Sequence, residues 1–487
     1  MSNKMNFFHG KSFDDFLFRP QKSVVLTRQE ISVRSQLTKS LYLELPVVSA
    51  NMDSVTGAKM ARVMAAEGGI GVIHRGMSIQ GQVEAVIQVK RSQSAVIRDP
   101  LTIAVDATIG EARTCTKVNG ITSLLITDRG NNKKLLGVLS KRDMPWGQAQ
   151  DSECVSNFMT PLESIVTAAP DITREEATDL LFRNRLERLP LIDGAGQILG
   201  LITRKDILNA RDRPYASKDE NGHLFVAAAI GAHGDYLDRA AALSEAGADC
   251  LFVDIAHGHS VVMERALKTL RNSLGAVSIV AGNVATGEGA RFLRDLGADA
   301  IKVGVGPGRG CRTRLETSAG VPQLQAIVEA RDAIGADVPI IADGGVKTDK
   351  DIFLALACGA SSVMLGSALS GTDEAPGRVI TDPVRGTKQK IYRGMTSPQA
   401  VLDSLYETNT EHEIDELISV PAEGQEIQVD YKGSVADILN RIRGHLKSAV
   451  SYGGEKSLRA VQASVVTEPG QFLIPLSEAS RRESYDR

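Results

Sequence analysis

The chain has 487 residues, 43% of them apolar and 24% charged, with a formal net charge of −3; this is an ordinary soluble composition with room for two or three domains, or for one large barrel carrying an insertion. The balance gives no support to a nucleic-acid or membrane partner and excludes a disordered chain. The five cysteines, Cys115, Cys154, Cys250, Cys311 and Cys358, are scattered, with no C-x-x-C pair and no histidine at metal-ligand spacing, which argues against disulfides and structural zinc. The N-terminus lacks an apolar signal-like stretch and no apolar run reaches membrane-spanning length, so a reducing cytoplasm is the expected setting.

In chain order, "LPVVSANMDS" and "GGIGVIHRG" near the N-terminus each read as a buried strand ending in a turn. After a middle section of different character the same rhythm resumes and repeats six times, in "LFVAAAIG", "CLFVDIAHG", "VSIVAGNVATG", "AIKVGVGPG", "VPIIADGGV" and "SSVMLGS". Strands apolar on both faces, alternating with helix-periodic stretches at a spacing of about 25 residues, predict an α/β fold, a (β/α)8 TIM barrel, with a doubly wound sheet as the competing arrangement. The expected domains are the first part of the barrel at 1–97, an insertion at 98–210, and the second part at 211–487.

The insertion contains one pattern twice: a strand, a helix opening on "TIGEA" or "TREEA", a strand "LLITD" or "LPLID", and a strand ending "GVLSKRD" or "GLITRKD". The repeat resembles a tandem CBS (Bateman) pair, a module that binds adenine or guanine nucleotides. In each copy a hydroxyl and a carboxylate stand one helical turn apart, Ser140 with Asp143 and Thr203 with Asp206. A carboxylate so placed can accept from both hydroxyls of a ribose. The plainer reading is that these groups cap the helix that follows.

A barrel carries its chemistry on the loops after its strands. Those loops offer Asp254 and Ser260, Asn283 and Thr286, Cys311 and Thr313, Asp343 and Gly345, then Gly366 and Ser367. Glycine-rich loops after the last strands expose backbone N–H groups suited to a phosphate. Cys311 stands between Gly310 and Arg312, outside any apolar run, where a thiol has no packing role to play. Arg312 and Arg314 are expected to add positive charge beside it and favour the thiolate.

The ordered set "SFDDFLFRP", "SANMDSVT", "GGIGVIHR", "AGNVATGEGA", "GPGRGCRTR", "ADGGV", "GTDEAPG", "YRGM" and "VDYKG" resembles the family that contains IMP dehydrogenase and GMP reductase, over almost the whole chain. The resemblance implies that Cys311 attacks C2 of a bound purine nucleotide, GMP or IMP. It implies that Asp343 holds the ribose, that Gly345, Gly366, Ser367 and Tyr392 hold the phosphate, that Gly394 and Met395 contact the purine, and that Asp254 with Ser260, Asn283 and Thr286 faces the nicotinamide cofactor. It also implies a homo-oligomer, a tetramer through the barrels or an octamer through the CBS modules, with ATP or GTP as regulatory ligands. A monovalent cation, potassium, is expected at Gly306, Gly308 and Cys311, although the tail lacks the ending that completes such a site in dehydrogenases.

Three departures stand out: Arg309 occupies the place of a phosphate-contacting Ser and is expected to contact phosphate itself, Arg312 replaces a Thr, and the flap at 400–433 has Asn409-Thr410 where dehydrogenases carry an Arg-Tyr pair that activates water. With Glu423 and Thr313 able to pass a proton to a departing amine, the resemblance then implies NADPH-dependent reductive deamination of GMP, with IMP oxidation as the alternative and a non-catalytic purine-nucleotide sensor as a remote third.

Overall fold

The computed structural model describes residues 3–92, 97, 100–147, 150–204, 207–208, 213–408 and 422–485. It divides into two compact units, Met1–Ser92 with Tyr215–Asp219 and Leu224–Arg487, and Gln93–Pro214 with Glu220–His223.

In the first unit, eight parallel strands close into a barrel: β1 (Val47–Ser49), β2 (Ile70–Ile73), β3 (Ala227–Ile230), β4 (Cys250–Asp254), β5 (Ile279–Val284), β6 (Ala300–Val303), β7 (Ile340–Asp343) and β8 (Ser362–Leu365). Each pairs with its successor, and β8 returns to β1 at Val363↔Val47. The strand residues are almost all buried, because one face fills the barrel and the other lies under the surrounding helices, as a parallel sheet requires. Those helices are α1 (Ala58–Ala66), α2 (Ile79–Lys90), α3 (Tyr236–Glu245), α4 (Val261–Leu274), α5 (Gly287–Asp295), α6 (Gln323–Ile334) and α7 (Asp349–Ala357). The sequence starts several of them with a hydroxyl at the N-cap: Ser78, Ser260 and Thr286 accept from the backbone of Gly81, Met263 and Gly289, and Thr348 forms a capping box with Asp351. Each such oxygen satisfies an N–H that the helix cannot.

Beyond β8 the chain leaves the barrel to form a three-stranded antiparallel sheet of Ile380–Thr381, Lys388–Arg393 and Glu426–Asp430, with Tyr392 opposite Ile427 and Arg393 opposite Glu426. This sheet delivers Gly394 and the start of the 422–425 segment to the C-terminal end of the barrel. Helix α8 (Pro398–Thr408) leads toward residues 409–421, which lie outside the described residues, as does the Asn409-Thr410 pair. Helix α9 (Val435–Tyr452) then packs its apolar stripe on α1 and α7.

The second unit shows its repeat in the backbone. In the first copy Thr102–Ala104 runs parallel to Ser123–Asp128, which pairs antiparallel with Asn131–Ser140. The second copy has the corresponding parallel bridge, Ala168 to Leu191, and the antiparallel pair Arg188–Ile192 with Ile198–Thr203. Both intervening helices, Ile109–Val118 and Arg174–Arg183, open on a Thr-x-x-Glu capping box, Thr108 with Glu111 and Thr173 with Glu176. Leu125 and Leu135 of the first copy and Ile198 and Leu201 of the second share one apolar cluster.

Candidate active site

A cavity of about 1290 Å³ opens among the C-terminal ends of the barrel strands. Into it the structure brings Asp254, Asn283, Arg309, Cys311, Thr313, Asp343, Gly345, Gly366, Ser367, Tyr392, Gly394, Met395 and Glu423, together with Gly306 and Gly308. Two of the expected cofactor residues are not among its lining: the Ser260 and Thr286 hydroxyls are N-caps of α4 and α5. A Ser or Thr between a strand and a helix carries the same sequence signal in either role, and the structure shows the cap.

The centre of the cavity is a line of three side chains. Cys311 Sγ and Thr313 Oγ1 are 3.1 Å apart, and the Thr313 hydroxyl donates to Glu423 Oε2 at 2.6 Å. Cys311 and Thr313 come from the loop after β6, while Glu423 comes from more than a hundred residues further on and is held there by backbone pairing of Cys311 with Gly424. The approach is close enough to demand glycine: a Cβ on Gly394 would lie 2.5 Å from the Gly310 carbonyl, and one on Gly424 would lie 2.5 Å from the Ser397 nitrogen. The two neighbouring arginines are held by other partners, while the Arg314 charge still acts on Cys311. Arg312 is bound by Glu316 at 2.6 Å, and Arg314 turns away to donate to the carbonyls of Val305 and Val321. Neither guanidinium makes a hydrogen bond to the thiol among those of the described residues.

The same cavity holds a charge group whose two carboxylates the sequence reading named but whose central Lys302 and supporting Asn51 it missed. Lys302 on β6, only 2% exposed, places Nζ 2.6 Å from Asp343 Oδ2 and 3.1 Å from Asp254 Oδ1. Asn283 donates to Asp343 Oδ2 at 2.9 Å and to the Gly304 carbonyl at 2.7 Å, and Asn51 donates to Asp254 Oδ2 at 2.6 Å. Burial alone would raise the Asp254 carboxyl, but the Lys302 charge and the Asn51 and Lys302 hydrogen bonds outweigh it and hold it below its ordinary range. Burial would likewise lower Lys302, and its two carboxylates raise it instead. The Asp254 carboxylate therefore stays ionised, and the hydrogen bonds fix the orientation of both carboxylates. The signal was present in the sequence as a single ammonium inside the otherwise apolar strand "AIKV".

At the other end, Gly344 and Gly345 adopt φ of +83° and +77°, a left-handed pair that turns the backbone of "ADGG" along the cavity. The buried Tyr392 phenol is pushed up to about 12, by burial first and then by Asp343, so it stays a hydroxyl that can donate. Lys432 Nζ donates to the carbonyls of Ser367 and Ala368 at 2.6 and 3.0 Å. Burial lowers its pKa, and the neighbouring Arg309 charge lowers it further. Two cations thus stand beside the glycine loops. On another side of the cavity, Met395 Sδ accepts from the Asp53 N–H at 3.3 Å, and Arg393 grips both oxygens of Asp53.

Asn283 Oδ1 is buried without a protein partner beside Asp343, an orphan acceptor that fits an amide or hydroxyl of a nicotinamide nucleotide. For a monovalent cation the loop gives no comparable footing: the Gly308 carbonyl accepts the Cys311 N–H at 3.0 Å, and Gly306 packs against the Arg314 side chain. The Gly308 carbonyl keeps a second lone pair, so these contacts neither require a cation nor exclude one.

In the second unit, Asp143 Oδ2 accepts from the backbone N–H of Ser140 at 2.8 Å, and Ser140 Oγ accepts from that of Arg142. The pair caps its own turn. Thr203 ends the corresponding strand, while Asp206 lies outside the described residues.

A (β/α)8 barrel that gathers a cysteine, a threonine and a glutamate at the C-terminal ends of its strands, beside a buried lysine between two carboxylates, has the layout of a barrel enzyme with a nucleophile in one loop. The chain belongs to the IMP dehydrogenase/GMP reductase family, whose domain model matches residues 10–485. It is 44% identical over 486 residues to inosine-5'-monophosphate dehydrogenase of Nitrosopumilus maritimus, covering 99% of this chain and 98% of that one. It is 43% identical to the Aquifex aeolicus dehydrogenase, over 98% of this chain and 95% of that one. Among solved structures it resembles a cysteine-to-alanine variant of Trypanosoma brucei GMP reductase in complex with guanosine 5'-monophosphate, with a TM-score of 0.88, 39% identity and 99% of both chains covered. The same reductase in complex with guanosine 5'-triphosphate superposes with a TM-score of 0.77 at 36% identity, over 96% of this chain and 98% of that one.

Proposed function

We propose that the protein is a GMP reductase, converting GMP to IMP and ammonia with NADPH. The observation that carries this reading is the hydrogen-bonded line from Glu423 through Thr313 to Cys311, at 2.6 and 3.1 Å, in a flap whose sequence from 400 to 433 contains no arginine. A dehydrogenase must activate water to release its product; this flap has Asn409-Thr410 where the activating pair would stand. The dehydrogenase names of relatives at 44% and 43% identity favour the second reading, IMP oxidation. The barrel and its nucleotide loops serve both reactions alike, so whole-chain identity does not separate the two, and the flap weighs more heavily.

In this reading the GMP phosphate rests on the backbone of Gly345, Gly366 and Ser367, with Tyr392, Arg309 and Lys432 around it. The ribose diol donates to Asp343, which Lys302 and Asn283 hold in place, and Gly394 and Met395 bound the purine. The Cys311 thiolate adds to C2. Glu423, relayed by the Thr313 hydroxyl, delivers the proton that lets the exocyclic amine leave as ammonia, producing a Cys311-linked purine. Asp254 and Asn283 hold the nicotinamide side of the cavity; NADPH, when bound, supplies the hydride that reduces C2. Cys311 then departs as a thiolate, releasing IMP. The second unit is read as a CBS pair that takes purine nucleotides, and the assembly as a tetramer or octamer.

Thr313→Val and Glu423→Gln test the relay. Each should reduce ammonia release by 10²- to 10⁴-fold, the usual contribution of a positioned proton donor, while GMP affinity stays within a few fold. Ammonia release at the parent rate in both variants would remove the relay.

A further inference from the structure

Glu423 can serve Thr313 only while its segment is docked on the cysteine loop. The backbone supplies two hydrogen bonds for that docking, from Arg312 N–H to the Glu423 carbonyl at 2.7 Å and from Gln425 N–H to the Gly310 carbonyl at 3.0 Å. So short a ladder is marginal by itself. Two side chains extend it. Gln425 Nε2 donates to the Arg309 carbonyl at 2.8 Å, and its Oε1 accepts from Arg312 Nη1 at 3.4 Å. Gln425 thereby spends both ends of its amide on the cysteine loop. The Arg312 guanidinium is oriented for this by Glu316, four residues on, at 2.6 to 2.8 Å. Arg312 and Gln425 are absent from the cavity lining, which includes Cys311, Thr313 and Glu423.

Resting on the reductase reading, we infer that Arg312 and Gln425 form a clamp of positioning residues that holds Glu423 in hydrogen-bond reach of Thr313 and so sets the rate of amine departure. Neither touches the purine. The clamp gives a purpose to the arginine that stands where the family pattern has threonine. A displacement of the donor by about 1 Å is enough to cost up to a hundredfold in rate, whereas nucleotide affinity rests on other loops.

The test is a double-mutant cycle between Arg312→Thr and Glu423→Gln, read in single turnover. Arg312→Thr should lower kcat about tenfold or more with KM for GMP within about twofold, and should have no further effect in the Glu423→Gln protein, because the clamp acts only through that carboxyl. Gln425→Ala should behave the same way and covers the case in which Arg312→Thr fails to fold. Arg312→Lys, which keeps the charge, should recover part of the loss. Equal effects of Arg312→Thr in both backgrounds, or an effect confined to KM, would overturn the clamp. A second arm is independent of the reaction assigned: iodoacetamide labelling of Cys311 in nucleotide-free protein, followed by peptide mass, should quicken severalfold in Arg312→Thr and Gln425→Ala as the segment undocks. Labelling at the parent rate would overturn the clamp even if the enzyme proved to be a reductase. Faster labelling would support it even if IMP were the substrate.

Discussion

Among single side chains, buried ionisable groups set what this cavity can do, and they divide into paired and unpaired ones. Lys302 is paired on both sides, so its charge is stable in the interior. His74, at the end of β2, is not: burial, with Arg393 nearby and only Asp53 opposing, pushes its imidazole down to about 4, and its Nδ1 lacks a protein partner. Since the folded value lies below the ordinary value of 6.5, the unfolded chain takes up a proton that the native state refuses. The associated stability is fully present above about pH 6.5 and is lost as pH falls toward 4, on the order of 3 kcal/mol in all. Urea midpoints of the parent and His74→Asn, taken from pH 7.5 to 4.5, should therefore converge or cross as the parent loses stability faster; parallel curves would rule His74 out as the cause. The sequence displayed these residues unequally. Cys311 and Thr313 were legible because glycines and arginines flank them within one loop. Lys302 was hidden by its own strand, whose apolar neighbours made the run look like core. The Arg312 to Gln425 contact could not be read at all, since nothing periodic links positions so far apart in the chain.

At the level of elements, the barrel was legible because its strands are apolar on both faces and several of its helices are announced by a hydroxyl cap. The same regularity leaves Ser260 and Thr286 with two readings, since a position before a helix suits a cap, which the structure shows, and a ligand contact alike. The antiparallel sheet that carries Tyr392, Gly394 and Glu426 obeys a different logic, in which close backbone approach substitutes for side-chain packing. Gly424→Ala would drive a Cβ to 2.5 Å from the Ser397 nitrogen and 2.7 Å from the Thr396 carbonyl carbon, both backbone atoms that cannot step aside. Its expected result is a loss of turnover of about tenfold or more with little change in thermal midpoint, because the barrel core is untouched. Gly444→Ala, on the exposed side of α9 with nothing within 4 Å of the added carbon, provides the contrast: unaltered turnover and a gain of about 0.5–1 kcal/mol. Equal turnover in the two variants would contradict the packing account of the flap.

Over the whole molecule, the repeat in the second unit was legible from its doubled motif, and the structure adds matched capping boxes and matched strand pairings. Its ligand was less legible, because Ser140 and Asp143 satisfy their own turn and offer no preformed ribose site by themselves. A nucleotide bound there would influence turnover only if it favoured one conformation or assembly over another. We expect ATP and GTP, at concentrations too low to compete for the catalytic cavity, to change GMP turnover in opposite senses, with a coupling of roughly 1–3 kcal/mol, and we expect Asp143→Ala combined with Asp206→Ala to erase the response while leaving unregulated activity. Unchanged kinetics and unchanged sedimentation across the titration would make the unit a structural spacer. The reaction itself is settled most directly by a paired assay at the nicotinamide absorbance band, GMP with NADPH against IMP with NAD. The account predicts NADPH consumption with one ammonia released per IMP formed, and no NADH from the second mixture; NADH production from IMP, with GMP and NADPH inert, would contradict it.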